Sequence, residues 1–470
     1  MLNSDTITAI ATPPGEGGIA VIRVSGPEAF AVGARLFRPR RPGNPADYAG
    51  YTVHYGRFDD VDTGDSIDDG LLTVFRAPHS YTGEDSVEIS CHGGGATTAR
   101  ILRSALRAGA RLAEPGEFTQ RAFLNGRIDL AQAEAVADVI RARTEAAQRM
   151  ARRQLDGALS LAVRLLRDEL IGILAAIEVT IDFSDEIGEL EYPPLLARIS
   201  ASRQAVEDLL GTADRGRILR EGLCVALIGR PNVGKSSLFN ALLRENRAIV
   251  TEMPGTTRDR LEESANIAGA PLVLIDVAGL RETDDVVERV GVERAEAALL
   301  ESDIVLFVLD AAEGLTDGDR VVAKRLRAIP PERILTVLNK RDAVSGAALT
   351  ACEREARDLL ESRAVTAVSA LTAIGLPELE QCLLSLALGG NTQTALSAET
   401  VVVSSVRHRE ALDSARASLI EAERTAQQQL PGDFIAIDTR GALDALGLIT
   451  GETVTDDIVH RIFRDFCVGK

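Results

Sequence analysis

The sequence predicts a multidomain α/β protein: an N-terminal α+β domain, then a helical bundle interrupted by a doubly wound α/β domain. Three observations lead there. Short β-rich runs separated by Gly, Pro and Asp fill the first 118 residues. A composition of Ala, Leu, Arg and Glu with helical spacing begins near residue 119 and returns after about residue 380. Between the helical stretches, strands and helices alternate, the pattern of a mostly parallel sheet covered on both faces. A chain of 470 residues also exceeds what one core supports, so several domains are expected.

Within residues 1–118, "IAVIRVS" and "SVEIS" read as strands, and "TPPGEGG", "VDTGDS" and "CHGG" as turns. Two-residue alternation sends Val87 and Ile89 to one face of the second strand and Glu88 and Ser90 to the other. Arg23 sits among apolar neighbours, where an unpaired guanidinium is costly to bury; it needs an anion or an interface, or else forms a structural ion pair with Glu88. Residues 119–219 form the first part of the helical domain, with Asp129 as an N-cap and Leu130, Ala133, Ala137 and Ile140 on one face. Residues 220–380 carry the buried-type strands "LCVALIG", "PLVLIDV", "DIVLFVL", "RILTVLN" and "AVTAVS" of the inserted domain. Residues 381–470 return to helix, the last one starting near Thr455 with Asp456 and Asp457 in its first turn, where carboxylates favour the helix dipole. The economical reading joins the two helical stretches into one bundle.

A net charge of −18 disfavours generic binding to a phosphate backbone, so any nucleic-acid contact must be local or delegated. The basic run "RARTEAAQRMARR" at 141–153 offers such a patch, although a solvated helix face is the plainer reading. No apolar run is long enough to span a bilayer, and the start lacks the pattern of a secretory signal; a cytoplasmic protein with no membrane partner is expected. Five scattered cysteines, Cys91, Cys224, Cys352, Cys382 and Cys467, form no Cys-x-x-Cys pair, which suits reduced thiols. Cys467 is followed by Val468, Gly469 and Lys470, a poor match to prenylation.

The segment "GRPNVGKSS" follows a predicted strand and opens a helix, the context of a phosphate loop, and its contacts would come from Asn232, Val233, Gly234, Lys235, Ser236 and Ser237. Its glycines admit backbone N–H groups to the β-phosphate, Lys235 spreads charge over the β and γ oxygens, and the Ser236 hydroxyl ligates Mg2+. "DVAG" brings Asp276 toward the metal's outer shell and the Gly279 N–H toward a γ-phosphate. In "NKRD", Asn339 fixes the base, Lys340 flanks it, and the Asp342 carboxylate accepts from two guanine N–H donors. "SAL" adds Ser369 and the Ala370 N–H for the guanine carbonyl. GTP is therefore the expected substrate.

These motifs resemble the TrmE–Era–Obg-like class of GTPases. Val277 stands where that class usually has Thr, and Leu280 where Ras-like enzymes carry the Gln that orients water. "TEMPGTTRD" at the first switch and "ETDDVVERVGVER" after the second, together with Asn232, resemble the potassium-dependent members. That resemblance implies GTP contacts from Thr251, Thr256 and Thr257, with Thr257 also on Mg2+. It further implies K+ held by Asn232 and the backbone of Thr251, Met253 and Thr256, and Glu288 as the residue that orients water. On spacing alone Glu288 is one of several exposed carboxylates.

Beyond the nucleotide motifs, "DTITAIATPPGEGGIAVIRVSG", "SYTGEDSVEISCHGG", "EPGEFTQRAFLNGRIDLAQAEAVADVI", "IDFSDE", "ITGE" and "FCVGK" together resemble the MnmE (TrmE) family of tRNA modification GTPases over essentially the whole chain. The resemblance implies an N-terminal domain like folate-dependent aminomethyl transferases that pairs into a homodimer and binds a tetrahydrofolate derivative, 5,10-methylene or 5-formyl. Arg23, Glu88, Arg127 and Lys470 would contact it; Arg127 replaces a frequent Lys, and Glu16 a frequent basic residue. It also implies a heterotetramer with the FAD-carrying flavoprotein MnmG, and addition of an aminomethyl or carboxymethylaminomethyl group to carbon 5 of the tRNA wobble uridine. Cys467 would act there as nucleophile or acid/base, and GTP hydrolysis would drive domain rearrangement. The rival readings are a non-modifying RNA assembly GTPase and a folate transferase with a regulatory GTPase domain.

Overall fold

A computed structural model of the chain describes residues 5–183, 190–245, 262–267, 269–276, 299–360, 364–388, 401–464 and 466–470. These residues form two compact units: Met1–Ala137 with Val163–Asp168 and Leu443–Lys470, and Asp138–Ala162 with Glu169–Ala442. None of the described helices is long and apolar enough to cross a membrane.

The first unit is built on a seven-stranded sheet of β1 (Ile7–Ile10), β2 (Gly17–Ser25), β3 (Phe37–Pro39), β4 (Thr52–Asp59), β5 (Ser66–Phe75), β6 (Ser86–Gly93) and β7 (Arg111–Leu112). Its spatial order is β3-β4-β5-β6-β2-β1-β7. Every pairing is antiparallel except β1 with β7. Period-two alternation gives the sheet two unlike faces. Ile22, Val24, Leu72, Val74, Val87 and Ile89 are fully buried in one core cluster with helices α1 (Ala29–Leu36) and α2 (Gly95–Arg107). The other face carries Val53, Thr73, Glu88 and Arg23 in one cross-strand row and Tyr55, Leu71, Ser90 and Val21 in the next. The expected turn at "CHGG" begins later, because Cys91, His92 and Gly93 continue the β6 ladder.

Helix α3 (Glu117–Leu124) is held to the sheet by charge. Arg121 Nη2 reaches Asp5 Oδ1 at 2.7 Å and Glu117 Oε1 at 2.9 Å, while Nη1 reaches Glu84 Oε1 at 3.2 Å. Arg111 bonds the same Asp5 and Glu117, each at 2.7 Å. The Arg121 and Glu117 side chains are only 6% and 7% exposed, so each needs its partners. At the start of helix Leu130–Arg141, Asp129 accepts from Gln132 N and Gln132 returns a side-chain oxygen to Asp129 N, a reciprocal cap. Leu130, Ala133 and Ala137 are buried as the spacing implies, whereas Ile140, in the last turn, is 37% exposed.

In the second unit, β8 (Leu223–Ile228), β9 (Glu262–Ile267), β10 (Ala270–Asp276), β11 (Ile304–Asp310), β12 (Ile334–Asn339) and β13 (Val365–Ala367) lie in the order β13-β12-β11-β8-β10-β9. All pairings are parallel except β9 with β10. Alternate strand residues feed two separate cores, one around Val225, Leu227, Leu306 and Val308 and one around Ala226, Ile228, Val305 and Phe307. Helices Lys235–Glu245 and Leu376–Ala387 close the first; Asp317–Leu326 and Gly346–Leu360 close the second. The chain leaves β8 toward β10 and then crosses to β11, so the strand order reverses beside β8, where ligands bind at strand C-termini. Helices Tyr192–Leu210 and Val406–Gln427, from opposite sides of the inserted domain in sequence, pack together, with Arg203 Nε 3.0 Å from Glu423 Oε2.

Arg121→Met is expected to cost about 3 kcal/mol, because Glu84 and the buried Glu117 lose a cation. Burial opposes the Glu117 charge, but the bonds from Arg111 and Arg121 outweigh it and hold its carboxyl below the ordinary value. Asp5, bonded chiefly to Arg111, is lowered as well. That contribution is complete above the unfolded carboxylate values of about 4 and is lost as pH falls through the lower folded values. Urea unfolding should therefore separate the variant from the parent fully at pH 7 and less as the pH drops below about 4; an unchanged gap would contradict the assignment.

Candidate functional site

Two sites emerge, one in each unit. In the second unit the loop 229–234 joins the C-terminal end of β8 to helix Lys235–Glu245. Its backbone passes so close to its neighbours that side chains are excluded: a Cβ on Gly229 would lie 2.3 Å from Val308 O, and one on Gly234, at φ +94°, 2.2 Å from Asn339 Nδ2. Asn232 also adopts a positive φ of 66°. Lys235 Nζ donates to the carbonyls of Gly229 and Arg230, both at 2.8 Å, so the ammonium lies across the loop. Ser236 and Ser237 are exposed in the first helical turn, and Val233 is buried beneath the loop.

Asn339, at the end of β12, is 2% exposed. Its Nδ2 donates to Val233 O at 3.0 Å, and its Oδ1 accepts from Ala370 N at 3.1 Å. It is therefore a strut between the phosphate loop and the loop carrying Ser369 and Ala370, and the Ala370 N–H expected to face a base carbonyl is engaged by it. Lys340 bonds Asp310 Oδ2 at 2.6 Å and Asn232 O at 3.0 Å, a second tie to the same loop. Asp342 follows in a short turn, exposed, with no side-chain partner among the described residues. Sequence reasoning missed Arg230, whose Nε meets Asp319 Oδ1 at 2.8 Å and whose Nη2 meets Glu313 at 3.0 Å. Asp319 is fully buried and also caps its own helix through Thr316; the capping pattern "TDGD" was visible in the sequence, the ion pair was not. Asp276 ends β10, with only its backbone described. Thr251, Met253, Thr256, Thr257, Gly279 and Glu288 lie outside the described residues.

In the first unit, Arg23 on β2 and Glu88 on β6 are direct cross-strand partners. Arg23 donates from Nε and Nη2 to the same oxygen, Glu88 Oε1, at 2.9 and 2.8 Å. Its guanidinium lies 5.0 Å from the Tyr81 ring centroid and 5.5 Å from that of Phe118, aromatic faces that the sequence had not flagged. Nη1 is buried and has no hydrogen-bond partner, and no bond to Glu88 Oε2 is found among the described residues. An orphan donor and a free acceptor thus stand together. The C-terminal residues converge here. Gly116 N donates to Cys467 O at 3.3 Å, and Gly469, at φ +95°, passes so near Ile10 that a Cβ would lie 2.4 Å from its carbonyl oxygen. Burial and then the Arg23 charge push the Lys470 ammonium below its ordinary value, with Glu88 and Cys467 pulling the other way. Cys467 remains exposed. Arg127 is exposed, its stem against the backbone of Gly83, two residues beyond Tyr81.

Two family models match: "GTP-binding protein TrmE N-terminus" over residues 6–127 and "MnmE helical domain" over residues 130–467. Curated relatives named tRNA modification GTPase MnmE align end to end. The protein from Desulforamulus reducens is 45% identical over 467 residues, covering 99% of both chains. That from Moorella thermoacetica is 47% identical over 471 residues, again with 99% of each covered. That from Bacillus velezensis is 44% identical over 468 residues, covering 99% of this chain and 100% of its own. A phosphate loop built for a nucleotide, an N-terminal match, a helical-domain match and full-length identity at this level lead to one conclusion: the chain belongs to the MnmE family of tRNA modification GTPases.

Proposed function

We propose that this tRNA modification GTPase is a K+-activated GTP hydrolase. It works as a homodimer with the flavoprotein MnmG to add an aminomethyl or carboxymethylaminomethyl group to carbon 5 of the wobble uridine, drawing on a tetrahydrofolate one-carbon unit. The observation that carries the folate assignment is the buried, unpartnered Nη1 of Arg23 beside the free Oε2 of Glu88. A pterin edge offers both acceptors and N–H donors, so it satisfies the orphan guanidinium and the carboxylate together, and burial makes the unmade bond of Nη1 costly. Lys470 adds a second cation beside Arg23 and Glu88, suited to an anionic ligand, and Arg127 would contact the same ligand. The folate would supply a one-carbon unit; the chain's own residues bind and orient it, while Cys467, exposed on the docked tail, serves as a thiol beside it.

A second copy is the partner that best fits the outer sheet face. Val53, Tyr55 and Leu71 are 57%, 49% and 40% exposed there in register with the Arg23 and Glu88 row, and Ile19, on the same β2, is 70% exposed. In the nucleotide site, Lys235 would exchange its carbonyl bonds for phosphate oxygens, Ser236 and Thr257 would hold Mg2+, and Asp276 would support its outer shell. Asp342, without a side-chain partner among the described residues, would accept from guanine. K+ beside Asn232, Thr251, Met253 and Thr256 would offset the charge that develops during hydrolysis, and Glu288 would orient the water.

Isothermal calorimetry with 5-formyltetrahydrofolate tests the central assignment: the parent should bind, and Arg23→Met should lose at least about tenfold in affinity, since a hydrogen bond to a charged group is worth ~1.5–3 kcal/mol. No binding by the parent would favour the assembly-GTPase reading. Asp342→Asn should shift preference from guanosine to xanthosine triphosphate, and unchanged GTP affinity would refute that base contact. Replacing K+ by Na+ should slow hydrolysis strongly, with equal rates in both salts refuting the ion's role. Cys467→Ser should keep steady-state GTP hydrolysis and lose wobble-uridine modification; full modification would leave this thiol structural.

A further inference from the structure

Helix Glu145–Leu155 buries Ala147, Ala151 and Gln154 and turns its remaining side chains outward. Its seat is fixed from several sides. Gln154 Oε1 accepts from Ser404 Oγ at 3.1 Å, Thr144 caps the first turn through Ala147 N, and Ala146 lies against Gly269. The outward residues are Gln148, Arg149, Arg152 and Arg153, with Arg141 and Arg143 exposed just before the cap. From 143 to 156 four arginines face Glu145 and Asp156 as the only acids, a local excess of two positive charges on a chain of net charge −18.

Basic side chains elsewhere are used in several ways, and Arg40 and Arg41 likewise have no ion pair among the described residues. Arg35 and Arg38, in "RLFRPRR", donate to backbone carbonyls at Ala34, Arg35, Phe37 and Ala108, and Arg107 pairs with Asp62 at 2.6 Å. On the helix, Arg149 meets Glu145 at 3.3 Å and Arg152 meets Asp156 at 2.7 Å; with both arginines more than half exposed, such i,i+4 pairs are weak and exchange readily. Arg143 and Arg153 have no ion pair among the described residues. Residues three and four apart share a helix face, so Arg149, Arg152 and Arg153 stand side by side on a rigid element. Arginine is the residue whose planar fork matches a phosphate.

We infer that the outward arginine face of helix Glu145–Leu155, extended by Arg143, is a docking surface for the phosphate backbone of tRNA. The chain acts on a polyanion while repelling it overall, and a local patch of exposed cations resolves that conflict. Contacts of this kind position the substrate without reading its sequence.

The test titrates a labelled, unmodified tRNA transcript into the full-length protein between about 50 and 200 mM salt, for the parent and for the triple variant Arg149→Gln, Arg152→Gln, Arg153→Gln. The variant should bind roughly tenfold or more weakly at low salt, with a log–log salt slope shallower by about two to three, and should keep the parent's GTP hydrolysis without tRNA. Unchanged affinity and slope would overturn the inference, as would loss of flavoprotein binding with tRNA affinity intact, which would make this an acidic protein's surface. The matching Arg→Lys triple keeps the charge and should keep most of the affinity; if it falls as far as the Gln variant with the same slope as the parent, the arginines act by packing and the inference fails.

Discussion

The carboxylate of Asp319 is fully buried, and the guanidinium that neutralises it comes from Arg230 in the phosphate loop. A buried charge without a partner costs several kcal/mol, so the loop cannot leave this helix without a large penalty. Asp319 simultaneously receives the Thr316 backbone N–H and hydroxyl, which fixes its own position before the arginine arrives. Asn339 and Lys340 pull on the same loop from β12, and the glycine at 234 lets Asn339 approach to contact. The conformation that cradles phosphates is thus held by polar bonds whose partners lie on helix Asp317–Leu326, on β12 and in the turn after it.

The N-terminal unit repeats the logic with a different outcome. Arg121 finds carboxylates for both of its terminal nitrogens, and the result is a closed structural network that ties β1, β7 and α3 together. Arg23, in a setting nearly as buried, finds one carboxylate oxygen and two aromatic faces, and one nitrogen is left over. Arg121 is fully satisfied, whereas Arg23 keeps one buried donor without a partner among the described residues. Lys470 makes the imbalance greater, since its ammonium is pressed toward the neutral form by burial and by Arg23 and gains from any anion bound beside it.

The tail that brings Lys470 there is held by backbone rather than by side-chain bulk. Gly116 and Gly469 both adopt positive φ and both pass within contact distance of backbone, one at Phe463 and the other at Ile10. Any other residue would have to move the chain apart at these two points. Their small size lets the last four residues lie against the sheet end that carries the Arg23 site, leaving Cys467 exposed on the outer side.

The amino-acid order by itself determined the elements and the nucleotide motifs. Mostly apolar runs such as "DIVLFVL" and "RILTVLN" between helical stretches read as strands buried on both faces, and Asp129 announced a helix start, because these signals depend on neighbours a few residues away. The glycine and lysine spacing of the phosphate loop was legible for the same reason. What stayed hidden depends on residues far apart in the chain. Ile140 continued a helical face in the sequence yet is exposed at the helix end, and "CHGG" looked like a turn until its pairing with β2 extended the strand. Asn339 was expected at the base, but only the packed fold shows its amide spent on Val233 and Ala370. That Glu88 reaches two nitrogens of Arg23 and leaves the third buried alone could not be read from spacing, because it rests on how two strands far apart in the chain pair side by side.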